Sequence, residues 1–542
     1  MNESTATTNA TLTTNATLSA NRQIARAAGT VMLAFVIGQA AGLARSILVA
    51  NTFGITHDLD AFVAANRVSE TLFNLVAGGA LGSAFIPTFT AFLAKDERKS
   101  AWRLAAALAN LVVLTLSLLA ALAAIFAPQI ARYALAPGLA KDPRLFALTV
   151  DLLRIQLVST VLFGLGGLLV GILNSHQVFL IPALTPAMYQ FGLIFGVLAL
   201  APRMGIYGLA WGVVIGSALY LLVQIPGLMK LPNVGRRWIP SLGLDNPSVR
   251  EVIFLMGPRL FGVAIVQLNF WVNTWLASQM SAGSVSAVTY GFMLMLMAQA
   301  VIAQSVATAL MPTLAAQYAL GRLSDVRSSL AASLRGVLFL SLPASVGLML
   351  LREPIITLLY QRGNFDARST QLVAWALLWY AAGLVGHCVM EILARAFYSL
   401  HDTKTPVLVG AAAMSLNVVF SFAFSALFTQ IGWMPHGGLA LANSLATALE
   451  AIALLVLMRH RLNGLEGKTV FVGWIQFTVA AMVMSATLWC WLSLSASRPA
   501  WLIVGGGVVI GAGVYSLAVL VLGVREARGV ARVVGRMFRA WF

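Results

Sequence analysis

The sequence predicts an all-α polytopic membrane protein of about 14 transmembrane helices, and three observations lead to that fold class. The mean hydropathy is +0.86, with 59% hydrophobic and only 10% charged residues among 542, whereas a soluble chain would need far more charge. Apolar runs of spanning length recur from residue 27 to residue 522 with short polar breaks. None of these runs alternates strictly between apolar and polar residues, so a membrane β-barrel is excluded.

The apolar runs predict the spans in order along the chain, each followed by a short polar break. In the first half they are residues 28–52, 61–94, 104–129, 146–173, 178–201, 205–229 and 252–279. In the second half they are residues 285–316, 329–351, 370–399, 406–429, 437–458, 471–494 and 500–522.

Lys and Arg residues predict the orientation, because short cytoplasmic loops retain them. With the N-terminus inside, 23 of the 35 Lys and Arg residues fall on the inner side and eight on the outer side. This asymmetry predicts that both termini are cytoplasmic, which requires an even number of spans. Membrane orientation therefore explains most of the formal charge of +17, and anionic inner-leaflet lipid is the expected partner, not nucleic acid.

The chain ends and the cysteines exclude several other features. Residues 1–24 are polar and predict a disordered cytoplasmic tail, and residues 525–542 form a basic cytoplasmic tail. Cys388 and Cys490 lie in apolar spans without metal-ligand neighbours, which excludes a disulfide framework and a zinc site. We therefore expect no metal, no cofactor and no catalytic residue.

An internal repeat relates the two halves of the chain. The matches are Pro87 with Pro312, His176 with His401, and Gly208 with Gly438. The first two pairs are each 225 residues apart, and the third pair is 230 residues apart. The repeat predicts two pseudo-symmetric six-helix lobes, residues 25–230 and 250–465, followed by helices 13 and 14 within residues 466–524. Parallel repeats of this kind are typical of transporters.

Ionisable residues inside predicted spans are candidates for function, because charge in lipid is costly. They are Arg45, Arg67, Arg154, Arg259, Glu70, Glu391 and Glu450. Arginine is a planar, permanently charged donor that binds phosphate oxygens in pairs. The excess of arginines over carboxylates therefore favours an anionic head group such as a diphosphate.

Most of these residues also have a purely structural interpretation. Arg67 and Glu70 lie three residues apart, and Glu391 and Arg395 four apart, so each pair can neutralise itself on one helical face. Arg259 lies near a predicted helix end, where its side chain can extend to the head groups.

Polar residues without charge, and one acid, complete the candidates. Gln267 and Asn269 follow Arg259 by about two turns and are candidates to line a cavity. Most other amides in the spans are expected to bind neighbouring helices. Asp60 lies at the outer edge of the second span, where it can cap a helix, hold a gate or contact a substrate.

Several motifs together resemble one family. Residues 394–407 read ARAFYSLHDTKTPV, similar to the segment that joins the tenth and eleventh helices of the MurJ (MviN) family of lipid II flippases. That family belongs to the multidrug, oligosaccharidyl-lipid and polysaccharide exporter superfamily. Supporting motifs are GLAR at 42–45, DAF at 60–62, AFIP at 84–87, QLNFWVNTWLAS at 267–278 and LLYQRGNFD at 358–366. The resemblance covers nearly the whole chain from about residue 25.

The resemblance implies a fold, a location and an activity. The implied fold has 14 helices in two lobes around a central cavity, with a groove for a polyprenyl tail at the last two helices. The implied activity is transport of lipid II, an undecaprenyl-diphosphate-linked peptidoglycan precursor, from the inner to the outer leaflet of the bacterial cytoplasmic (inner) membrane by alternating access. No covalent step is implied, and we expect a monomer. Arg45, Arg67 and Arg259 would hold the diphosphate, and Asp60 matches an acid of the family.

Four positions depart from the family pattern. Residues that are usually charged read Gln39, Phe73, Asn74 and Met293 here. Two alternatives therefore stay open. One is an exporter of another lipid-linked oligosaccharide or amphiphile, and the other is a non-transporting scaffold with the same fold.

Overall fold

The computed structural model describes residues 34, 36–76, 80–232, 241–524 and 526. The predicted N-terminal tail, and the predicted C-terminal tail apart from Glu526, lie outside these residues. Throughout the described ranges the chain is helical and forms no β-strand, which confirms the predicted fold class. A helix satisfies all backbone hydrogen bonds within its own segment, as a chain in lipid requires.

Sixteen helices are the main elements of the described residues. They are α1 (36–53), α2 (His57–Val76), α3 (Ala80–Ala94), α4 (Arg98–Ile125), α5 (Pro143–Ser175), α6 (Leu180–Phe195), α7 (Ile206–Leu222), α8 (Pro247–Ser278), α9 (Ser284–Gln299), α10 (Ser305–Ala319), α11 (Leu323–Leu350), α12 (Ala367–Ser399), α13 (Lys404–Gln430), α14 (His436–Arg461), α15 (Gly467–Ser495) and α16 (Ala500–Val521). Short helical segments at Ala127–Gln129, Ala201–Met204, Ile225–Met229 and Arg352–Tyr360 extend or connect them.

Within the described residues, 11 helices are long and apolar enough to cross a membrane, or up to 12 if the bent helix α8 is one span. They correspond to 12 of the predicted spans, so the count of 14 stays a prediction. The other two predicted spans are 28–52 and 61–94. The first is described only in part, and the second consists of α2 and α3. Four charged residues in α2 lower its hydropathy: Asp58, Asp60, Arg67 and Glu70.

Matched helix lengths agree with the internal repeat. Helices α3 and α10 both have 15 residues, with Pro87 and Pro312 at the same position within them. Helices α4 and α11 both have 28 residues, and α5 and α12 both have 33. The correspondence in length holds for these three pairs, whereas α6 and α13, with 16 and 27 residues, differ.

The described chain forms two compact units. The first comprises the residues up to Val49 together with Ala64–Tyr133 and Asp142–Ala264. The second comprises Ala50–Val63, Ala134–Lys141 and the chain from Ile265 onward. Residues 50–63 and 134–141, which precede 230 in the sequence, thus belong to the second unit.

Residues 50–63 are held in the second unit by the segment that reads RGNFD in the sequence. The Asn364 side chain donates to the Thr52 carbonyl at 2.6 Å, and the Asn364 backbone N–H donates to the Asn51 carbonyl at 2.9 Å. Gly54 has a φ of +62°, and a Cβ there would lie 2.3 Å from the Asn364 carbonyl oxygen. Only glycine meets both demands, since it accepts a positive φ and occupies no side-chain space.

Candidate functional site

Arg67 and Glu70 form an ion pair on one face of α2. The Arg67 Nη1 lies 2.9 Å from the Glu70 Oε2, and the Asn66 amide donates to the Glu70 Oε1 at 2.7 Å. Helical spacing of three residues brings the two charges together, as the sequence predicts. The charge of Arg67 is therefore balanced by its own helix.

Arg45 lies on α1 in the first compact unit, and its contacts differ from those of Arg67. It forms no ion pair within the part of the chain that the structure describes, and its Nε is buried without a hydrogen-bond partner there. A buried donor is normally paired, so an unpaired guanidinium nitrogen is unusual.

A glutamine on α6 lies beside this arginine's helix. A Cβ on Gly42 would be 3.6 Å from the Gln190 Nε2, and one on Gly38 would be 3.8 Å from the Ala187 backbone nitrogen, so α1 and α6 are in close contact. The Gln190 Oε1 is buried and also lacks a partner among the described residues. The sequence did not single out Gln190, because one amide in an apolar helix carries no motif.

The side chain of Arg259 lies outside the described residues, although its backbone belongs to α8. Arg154 is described, and its Nε donates to the Ala124 carbonyl at 3.2 Å in an exposed position. This hydrogen bond gives the Arg154 Nε an acceptor at the end of the neighbouring helix α4.

Asn269 is a member of a polar network between α8 and α13 in the second unit. Its amide donates to the Met414 carbonyl at 3.3 Å, and its Oδ1 accepts from Asn273 at 3.1 Å and from Asn417 at 3.4 Å. Asn269 is 3% exposed and Gln267 is 7% exposed, so both are buried. The network satisfies amide groups that lipid could not, and it joins two helices far apart in sequence.

Asp60 caps the start of α9 within the second unit. Its carboxylate accepts from the Gly283 N–H at 2.7 Å, the Ser286 N–H at 2.8 Å and the Ser286 hydroxyl at 2.7 Å. These N–H groups have no partner within a helix, so a buried carboxylate stabilises the helix end. The sequence left the role of Asp60 open between a cap, a gate and a ligand, and its described contacts are those of a cap.

Glu391 and Arg395 form the ion pair that their spacing on α12 allows, with 3.1 Å between the Glu391 Oε1 and the Arg395 Nη2. Arg395 also belongs to the family-like motif at residues 394–407, and Asp402 stabilises the turn within that motif. It accepts from the Thr405 N–H at 3.0 Å, the Thr405 hydroxyl at 2.8 Å and the Arg461 guanidinium. Burial alone would raise the pKa of Asp402, but the Thr405 hydrogen bonds and the Arg461 charge lower it below its usual value.

The four uncharged residues that depart from the family pattern differ in their contacts and in their exposure to the surroundings. Phe73, where the resemblance implies an arginine, packs on Phe163 with ring centroids 5.3 Å apart. Gln39 is exposed, and Asn74 and Met293 are half-buried. Across the ranges that the structure describes, no group of three His, Cys, Asp or Glu side chains could hold a metal ion.

Over the described residues, an all-helical chain with repeated motifs and 11 or 12 candidate spans has the architecture of a polytopic membrane transporter. The family model described as lipid II flippase MurJ matches residues 49–505. The chain belongs to this family, which confirms the resemblance seen in its motifs.

Curated relatives cover most of the chain. A lipid II flippase MurJ of Burkholderia cenocepacia is 30% identical over 475 residues, which cover 86% of this chain and 90% of the relative. A probable lipid II flippase MurJ of Vibrio cholerae is 30% identical over 511 residues, which cover 90% of this chain and 94% of the relative.

Solved structures share the fold. A lipid II flippase MurJ in an inward closed conformation matches with a TM-score of 0.77 and 22% identity, over 91% of this chain and 98% of that one. An inward-facing multidrug resistance MATE family transporter of the MOP superfamily matches with a TM-score of 0.65 and 14% identity, over 79% of this chain and 96% of that one. At these identities the matches concern the fold alone.

Proposed function

We propose that the protein translocates lipid II, or a closely related undecaprenyl-diphosphate-linked glycan, from the inner to the outer leaflet by alternating access. It acts in the bacterial cytoplasmic membrane as a monomer, with both termini cytoplasmic and without a covalent step. Family membership and the names of the relatives support the substrate. The distribution of Lys and Arg supports the orientation.

The observation that carries this proposal is Arg45. A diphosphate needs a cation that the protein has not already neutralised, and Arg45 forms no ion pair within the described ranges. Arg67 shares its charge with Glu70, so we assign it a secondary contact with the diphosphate. Arg259 completes the proposed set. We propose that the buried amides of Gln267 and Asn269 contact the polar head group when the protein changes conformation.

We further propose that different segments of the chain have different roles. Residues 25–230 and 250–465 act as the two lobes, and residues 466–524 contribute the groove for the polyprenyl tail. Equal helix lengths in the two halves support the pairing of the lobes. Asp60, Glu391 and Arg395 act in gating or in stabilising the helices, which their hydrogen bonds and ion pair support.

A flipping assay in proteoliposomes tests the proposal with lipid II as the probe. The intact protein should move the lipid between leaflets, and Arg45→Ala should lower the rate about tenfold or more, because one charge-assisted hydrogen bond is worth about 1.5–3 kcal/mol. Arg154→Ala, which removes a cation with a carbonyl partner, is the matched control and should retain the rate. A wild-type rate for Arg45→Ala would contradict the proposed role of Arg45, whereas an intact protein that moves no lipid would favour the scaffold alternative.

The other candidate is transport of a different lipid-linked glycan, and Phe73 is the observation that favours it. An aromatic contact with Phe163 replaces a cation that the family usually has. Parallel vesicles that carry other undecaprenyl-diphosphate glycans distinguish the candidates, since the preferred substrate is the one with the highest flipping rate.

A further inference from the structure

Helices α1 and α6 place an arginine and a glutamine in one neighbourhood of the first compact unit. Gly42 lies against the Gln190 amide, since a Cβ added to this glycine would be 3.6 Å from the Nε2. Arg45 follows Gly42 by three residues, so the two share a face of α1.

Two polar atoms of opposite character are left unpaired in this neighbourhood. The Arg45 Nε is a buried donor, and the Gln190 Oε1 is a buried acceptor, and neither has a hydrogen-bond partner among the residues described. Buried polar groups without partners are rare in folded proteins and call for a ligand or water as the explanation. In a membrane helix the surrounding lipid cannot serve, since it offers no hydrogen bonds.

The ligand that fits both atoms carries an anionic oxygen and, close to it, a hydroxyl or amide N–H. The guanidinium requires the oxygen, and the glutamine carbonyl requires the donor. A glycosyl diphosphate has this arrangement, because the sugar attached to the diphosphate presents hydroxyl or acylamino groups beside it. A bare prenyl diphosphate supplies the oxygen but not the neighbouring sugar donor.

We propose that Gln190 is a specificity residue whose Oε1 accepts a hydrogen bond from the sugar next to the diphosphate, while Arg45 binds the diphosphate itself. This inference rests on the proposed function, and it adds a contact that recognises the sugar. Gln190 thus distinguishes a glycosylated lipid from its sugar-free precursor.

The test measures binding of two lipids to the purified full-length protein in nanodiscs. The probes are lipid II and undecaprenyl diphosphate, which differ by the sugar-peptide group. Gln190→Met, of similar size and without the amide, should weaken lipid II binding about five- to tenfold, as expected for one hydrogen bond. Its affinity for undecaprenyl diphosphate should stay within about twofold of wild type.

Other variants separate the sugar contact from the charge. Arg45→Met should weaken both lipids. Gln190→Glu should also weaken both, because the new carboxylate would pair with Arg45 and repel a diphosphate. Gln279→Met at the end of α8 is the control, since Gln279 is exposed and its amide already donates to the Trp275 carbonyl at 3.2 Å; it should leave both affinities unchanged.

Each outcome decides between the proposals. A loss confined to lipid II in Gln190→Met supports the sugar contact. Equal losses for both lipids, or no loss, overturn it while the proposed function stands. If the wild-type protein binds neither lipid, the proposed function fails and the sugar contact fails with it.

Discussion

Replacing Glu526 with Ala should destabilise the protein by about 3 kcal/mol, more than replacing its partner Arg335. Arg335 on α11 donates to both carboxylate oxygens of Glu526, with 2.8 Å between the Nη2 and the Oε2, and to the Thr469 carbonyl at 2.7 Å. The pair thereby joins α11 to the start of α15 and to the chain that follows α16. A second polar contact joins the same ends of α15 and α16, since the Gln476 amide donates to the Leu522 carbonyl at 3.0 Å.

The magnitude follows from burial. The Arg335 side chain is 9% exposed, and that of Glu526 is 22% exposed. Without Glu526, the guanidinium stays buried with one carbonyl as its main partner, which costs about 3 kcal/mol. Without Arg335, as in Arg335→Met, the Glu526 carboxylate, which is already 22% exposed, can turn to water, and we expect a loss of about 1–2 kcal/mol. The double variant should lose less than the sum, with a coupling of at least about 1.5 kcal/mol.

The measurement is the free energy of unfolding of the purified protein in an SDS titration of mixed micelles. The i, i+4 pair of Glu391 and Arg395 is the matched control, because Arg395 is 39% exposed and such pairs contribute only about 0.3–0.5 kcal/mol. Equal coupling in the two cycles, or a greater loss for Arg335→Met than for Glu526→Ala, would refute the role assigned to burial.

Three further predictions concern residues of the second unit and one glycine of the first. Asp60→Ala removes the acceptor of three hydrogen bonds at α9 and should cost about 2–4 kcal/mol in the same titration; an unchanged value would mean that the cap does not stabilise the fold. Gly54→Ala would place a Cβ 2.3 Å from the Asn364 oxygen, and it should cost more than about 2 kcal/mol, whereas Gly205→Ala, with a φ of +58° and open space, should cost about 1 kcal/mol. Equal losses would refute that difference. The pKa of Asp402 is lowered in the folded protein, so its stabilisation is present above the unfolded-state pKa of about 3.9 and is lost as the pH falls toward the folded value. Asp402→Asn should therefore flatten the fall in thermal midpoint below about pH 4, and a slope equal to that of wild type would contradict this assignment.

The helices and their repeat could be predicted because their causes are local. A run of about 20 apolar residues prefers lipid and must be helical there, whatever its neighbours are. Pro87 and Pro312 occur at equal positions in helices of equal length, so the repeated motifs mark a real structural correspondence. Residues 61–94 are less clear by composition, because the charges of α2 interrupt the apolar pattern.

The candidate site could be predicted only in part. Spacing of three residues was enough to anticipate the pair of Arg67 and Glu70. It could not indicate that Arg45 lies beside α6 or that Gln190 has an unpaired oxygen, since those facts depend on how α1 and α6 pack.

The sequence by itself determined that this chain is a helical membrane protein with two related halves, and its motifs determined the family. Hydropathy, helical period and motif spacing are properties of neighbouring residues, so the sequence states them directly. Only the tertiary structure decided that Asp60 caps a helix that begins more than 200 residues later and that Asn269 bonds to Asn417 on α13. Such contacts form because packing brings distant helices within hydrogen-bond distance. The pattern of neighbouring residues in the sequence does not predict which distant residues will meet.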